Sequence, residues 1–320
     1  MVKTLISSVS LALFLTTTVQ AKQLSFTKQV QENNYTFAYQ WLDHDKVHQS
    51  IRFNLTKPAL FERFRMLRPY KNEFAQKTIL RTIKKQLMKQ PLTGANAVFK
   101  QHQGRTVIQV KGLDEDNVAA AYKKINIIEQ EITKEYFKKN FYQRFTTHDQ
   151  QTGIKVDHVN IAQISVPDFK ILKPIILDKV PIKNIRQVTN FVLSFVQSIP
   201  YSTLESRFTS SGSGFNPPAK LLWENQGDCD SKMTLTATIL RALMPRIDMA
   251  MIYIDQHAFI GIAIPAQGDE ISIKYQRVNY LLAEPTGPAL YKLGSLAPES
   301  ELAVNQRRYV VEEFHSDGSL

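Results

Sequence analysis

Cysteine is almost missing from this chain of 320 residues: the single one is Cys229. One thiol cannot form a disulfide within the chain, so no covalent framework of the kind common in exported proteins is available to the fold. Long apolar runs are missing too. The best is Leu5 to Leu15, shorter than the roughly 20 residues needed to cross a bilayer. No internal repeat and no low-complexity tract occurs. Acidic residues are in the minority, 29 against 40 Lys and Arg, for a formal net charge of +11.

The apolar run lies where an export signal would. Lys3 supplies a positive start, Leu5 to Leu15 the apolar part, and Thr16 to Ala21 a small-residue end of the V-x-A kind, so residues 1–21 read as a cleavable signal peptide. No cysteine follows it to carry a lipid anchor. The expected mature protein is exported, periplasmic or secreted, with no transmembrane segment. Nucleic acid is not an expected partner, because no binding motif accompanies the positive charge.

That charge is unevenly placed. Between Lys57 and Lys89, ten basic residues stand against Glu62 and Glu73, a net +8. Such a segment is either a solvated helical face or a means of holding the protein near an anionic component of the cell envelope.

Periodicity predicts α+β structure. Tyr35–Trp41 and Ser50–Asn54 alternate like the arms of a hairpin around Asp43 to Lys46. Pro58 to Lys89 has a mostly helical pattern, interrupted near Pro69. Ala97–Gln101 and Arg105–Val110 read as a second hairpin, and Asp114 to Lys139 as a long amphipathic helix. Residues 153–165 resume strand character. Residues 167–182, rich in Pro, Lys and Ile, read as a linker between a basic α+β domain (22–166) and a second domain (183–320). In the second, helices are expected over 185–199 and 228–243, with a Gly/Ser loop at 209–218 between them. Strands are expected at 250–254, 258–264, 270–275 and 280–283.

The chemistry-bearing residues fall in that second domain. Asp228 is a natural N-cap for the second helix, which places Cys229 in its first turn, beside unpaired N–H groups and the positive end of the dipole. Both favour the thiolate, which is the nucleophile. A cysteine nucleophile needs a base held by a third group. His257 opens a strand, and Glu284 closes a later one that antiparallel pairing can bring alongside. Asp255 is the other carboxylate near His257, but it lies on the same strand. An oxyanion donor is needed as well: the Cys229 N–H is one candidate, and Trp223, Gln226 and Tyr201 are candidates for a second. His44 and His48 are four residues apart near Asp43 and Asp45, with no further ligand in view, so no metal or other cofactor is expected.

At these residues the chain resembles the transglutaminase-like superfamily of papain-type cysteine enzymes, especially the bacterial transglutaminase-like cysteine peptidases. The similar segments are Phe195 to Tyr201, Pro217 with Leu221 and Leu222, Gly227-Asp228-Cys229-Asp230, His257-Ala258 and Glu284-Pro285-Thr286, spanning about residues 183–295. The resemblance implies a papain/transglutaminase-like domain in which a cysteine helix packs on an antiparallel sheet, following a mixed N-terminal domain. It also implies a Cys229, His257, Glu284 triad acting on a peptide or protein amide through a thioester. Two positions depart from the family pattern: Glu284 stands where Asp is usual, and Phe259 where Trp often follows His-Ala.

Overall fold

The structure is a computed structural model that describes residues 21–102, 105–181, 184–206 and 214–316. The signal-peptide segment therefore lies outside the described residues except for Ala21, as does the first half of the 209–218 loop (209–213). The described residues combine helices with antiparallel sheets, an α+β fold.

The chain opens with a three-stranded meander, β1 (Lys22–Gln31), β2 (Asn34–Leu42) and β3 (His48–Thr56). Strand β2 is central, and its alternate residues Tyr35, Phe37, Tyr39 and Trp41 are all buried on one face. A single π-turn at Pro58–Glu62 follows, then α1 (Asn72–Lys89), the hairpin β4 (Ala95–His102) and β5 (Arg105–Gly112), and α2 (Glu115–Asn140). The Asp114 side chain caps α2 by accepting from the Asn117 N–H. Helix α1 packs on α2, and α2 covers the hairpin over a small core of Ala95, Val110, Ala121 and Ile125.

A short hairpin, β6 (Tyr142–Thr146) with β7 (Thr152–Val156), leads into α3 (His158–Phe169) and α4 (Leu172–Lys179). Two expectations are corrected here. Val159 and Ile161, read as strand, are helical, and residues 167–181 are not a connector. Ile161, Ala162, Ser165, Phe169, Leu172 and Ile176 are buried at helical spacing that runs straight through Pro167. The proline masked that periodicity, because it marks a break in most sequences yet sits inside α3 here.

After α5 (Ile185–Ser198) and α6 (Pro218–Glu224) comes α7 (Cys229–Leu243). The remaining elements are β8 (Met249–Ile254), β9 (His257–Ile262), β10 (Ser272–Tyr275), β11 (Val278–Ala283), α8 (Pro298–Asn305) and β12 (Val310–Phe314). The five strands form an antiparallel sheet in the order β10-β11-β9-β8-β12. Neither α8 nor β12 was legible in the sequence pattern. Helix α7 is buried along its whole length after the first turn, between α3 and α5 on one side and β9 on the other.

The meander shares this core. Trp41 donates from Nε1 to Ser194 Oγ at 3.0 Å, and Tyr39 donates to the Leu222 carbonyl at 3.0 Å. Packing therefore does not divide the chain at residue 167. If α4 belongs to the core, Leu172→Ala should cost about 2–5 kcal/mol in urea unfolding. A connector residue would lose no more than about 0.5 kcal/mol.

Candidate active site

The site is built where α7 begins. Asp228 Oδ1 accepts from the Ser231 N–H at 3.0 Å, which caps the helix and leaves Cys229 as its first residue. Before Asp228 stands Gly227, where an added Cβ would lie 2.6 Å from Leu221 Cδ1 and would displace that buried leucine. Gly227 forms a parallel bridge with Tyr201, donating to the Pro200 carbonyl at 3.2 Å and accepting from the Ser202 N–H at 3.1 Å. One turn into the helix, the fully buried Lys232 donates to the Ile199 carbonyl, so the 199–202 segment is tied to α7 on both sides of the thiol.

Strand β9 starts at His257 and β11 ends at Ala283. Their antiparallel register sets Ala283 opposite Ile260, which carries Glu284 back toward the start of β9. His257 Nε2 lies 2.9 Å from Glu284 Oε1. Glu284 is 1 % exposed and its other oxygen accepts from Ser300 Oγ at 3.1 Å. A buried carboxylate must be paired and hydrogen-bonded to be tolerated, and α8 supplies the second partner. Burial works against a charged imidazole, but the Glu284 hydrogen bond and charge, with Asp230, outweigh it and raise His257 above its ordinary 6.5.

The loop after Glu284 is held by residues that the sequence did not single out for this role. Gln197 donates from Nε2 to the carbonyls of Glu284 (2.6 Å) and Tyr291 (2.9 Å). His44 lies 3.1 Å from Gln197 Oε1 and 3.0 Å from the Tyr291 carbonyl, so its Nε2 is engaged in this loop. A Cβ on Gly287 would stand 2.3 Å from the Gln197 carbonyl oxygen, so only glycine allows the approach. In the sequence Gln197 stands only as one residue of the similar segment Phe195 to Tyr201, with no role assigned.

Cys229 is partly exposed. Its Sγ lies 3.8 Å from Asp230 Oδ1 and 3.9 Å from the Gln256 carbonyl. Among the described residues the sulfur makes no hydrogen bond to the His257 ring, whose Nδ1 is left without a partner. Burial pushes the thiol well above its ordinary value, and the charges of Asp230 and Asp228 push the same way. The backbone N–H groups of Asp230 and Ala258 pull against them. This reverses the expectation that the helix tip favours the thiolate. A helix terminus supplies about 0.3–1 kcal/mol, less than one pKa unit, and burial beside two carboxylates exceeds it. Asp228 is itself raised to about 7, first by burial and then by Asp230. Lys232 is pulled down to about 7 by burial, against the attraction of Asp228.

The remaining candidates separate. Asp255 is taken by Arg308 (3.3 Å) and His148 (3.8 Å), not by His257. Tyr201 is 51 % exposed, and its backbone bridges Gly227, two residues before Cys229. Trp223 belongs to an aromatic cluster, edge-on to Phe61 at 5.2 Å and to Tyr35 at 5.5 Å, with Lys28 Nζ over its ring. The Gln226 carbonyl accepts from Asn216 Nδ2 at 3.4 Å, in the turn that precedes α7. A cavity of about 640 Å³ is lined by Ile199 to Tyr201, Gly287, Pro288 and Lys22, and Cys229, His257 and Glu284 are not among its lining residues. The larger cavity, about 910 Å³ between α2, α3 and β12, contains no triad residue.

Behind the thiol, His158 at the start of α3 is buried with Nδ1 3.1 Å from the Tyr253 hydroxyl and Nε2 3.8 Å from Asp230 Oδ2. Burial lowers its pKa well below 6.5, so it faces Asp230 as a neutral ring rather than as an ion-pair partner. Comparison with family models, with curated proteins and with solved structures gives no match for this chain.

The His257–Glu284 pair has a definite pH signature. A histidine raised on folding contributes stability in full below its unfolded value and loses it as pH rises through the folded value. Glu284→Gln should therefore cost more unfolding free energy just below pH 6.5 than at alkaline pH, and should lower the midpoint of the His257 imidazole titration followed by NMR. An equal cost at both pH values would mean that the pair is not ionic.

Proposed function

We propose that this chain is an exported cysteine acyl-transfer enzyme of the transglutaminase-like kind, acting on amide bonds, with hydrolysis favoured over transfer to an amine. The observation that carries the reading is the 2.9 Å contact between His257 and a buried Glu284, beside a thiol at the head of a buried helix. The packing of α7 against β9 and the antiparallel sheet suits the papain/transglutaminase-like architecture that the resemblance implies.

In this reading the Cys229 S–H proton passes to His257 Nδ1 as sulfur attacks the amide carbon. Glu284 holds the opposite nitrogen and stabilises the imidazolium that forms. The developing oxyanion is met by the Cys229 N–H. The C–N bond then breaks, and the amine leaves with the proton from His257. Water, deprotonated by the same imidazole, attacks the thioester; the C–S bond breaks, the acid is released, and the imidazolium returns its proton to the Cys229 sulfur. The raised thiol value makes His257 a general base at the moment of attack rather than half of a preformed ion pair.

A second reading, a binding or assembly module that keeps the fold without turnover, is favoured by one observation: the sulfur is not hydrogen-bonded to the imidazole. Alkylation of Cys229 by iodoacetamide separates the two. An enzyme of this design should alkylate along the deprotonation of His257, with a midpoint above 6.5 but below that of the thiol itself. His257→Ala should move the rise to more alkaline pH. Coincident profiles in the two proteins would favour the inactive module.

A further inference from the structure

Helix α1 carries two different faces. Ala75 and Ile83 are buried on the inner one. On the outer one, Phe74 is 66 % exposed and Met88 is 74 % exposed. Phe74, Arg81 and Met88 repeat every seven residues, so at 3.6 residues per turn they form one nearly straight stripe. Lys77, Lys84 and Lys85 flank that stripe within about a quarter turn on either side. All four cations are exposed, and none forms an ion pair among the described residues. The helix carries five basic residues in all, with Glu73 as its single acid.

A solvated helical face accounts for the lysines but not for the two apolar side chains standing among them. A large exposed aromatic and an exposed methionine on a cationic stripe match an interface with apolar depth beneath an anionic surface. No helix among the described residues is long and apolar enough to cross a membrane, so attachment of this kind would be peripheral.

We infer that α1 docks the protein on an anionic lipid surface, with Phe74 and Met88 entering the acyl boundary and Lys77, Arg81, Lys84 and Lys85 facing the headgroups. This surface belongs to α1, not to the thiol site, and the inference does not depend on the chemistry of Cys229. Charge draws the protein to the surface and is screened by salt; burial of Phe74 and Met88 selects lipid over a soluble polyanion.

The test is co-sedimentation of the full chain with vesicles of phosphatidylcholine alone or with added phosphatidylglycerol. Binding is expected only to the anionic vesicles, and it should weaken as salt is raised. Lys77→Glu with Lys84→Glu should lower partitioning at least about fivefold per lysine. Phe74→Ala with Met88→Ala should also release the protein at unchanged charge. All four positions are exposed, so unchanged thermal unfolding and unchanged Cys229 alkylation would confirm that the variants fold. The inference is overturned if the wild type ignores anionic vesicles. It is also overturned if the Phe74/Met88 variant binds them as well as the wild type does. Retention on heparin without vesicle binding would point to a soluble polyanion instead.

Discussion

A carboxylate shut away from water dictates much of the geometry around Cys229. Glu284 is tolerated in the interior because His257 and Ser300 satisfy its two oxygens. That requirement ties α8 to two neighbouring strands of the sheet, at the start of β9 and the end of β11. Once the imidazole is held through Nε2, only Nδ1 remains for the thiol. The direction of any proton transfer is then set by the fold, before a substrate arrives.

The second constraint is the tie between α7 and the extended segment 199–202. Gly227, Lys232 and the Asp228 cap fix the helix terminus from three directions. At that terminus burial and the neighbouring carboxylates Asp230 and Asp228 favour the protonated thiol. Placing a nucleophile rigidly and activating it are separate problems. Packing meets the first here; in the proposed reading the second falls to His257.

Much of this was legible in the chain, because local rules carried it. Asp228 caps as its side chain predicts, β2 and β3 pair across Asp43 to Lys46, and α2 starts at its Asp114 cap. Glu284 was reachable because strand ends in an antiparallel run can meet. Other features depended on contacts distant in sequence. His44 and Gln197 are 153 residues apart, yet together they hold the loop after Glu284. Pro167 hid a helix that tertiary packing sustains, and the expected shift of the thiol had the wrong sign because burial cannot be read from the order of residues.

Whether Cys229 forms an acyl-enzyme is the question on which the functional account turns. Intact-mass measurement after brief exposure to an activated ester such as p-nitrophenyl acetate asks it directly. The account predicts one acetyl group on Cys229 that is lost with time, greatly slowed acylation in His257→Ala, and none in Cys229→Ala. Acetylation at other residues alone, or at Cys229 at the same rate with and without His257, would contradict it.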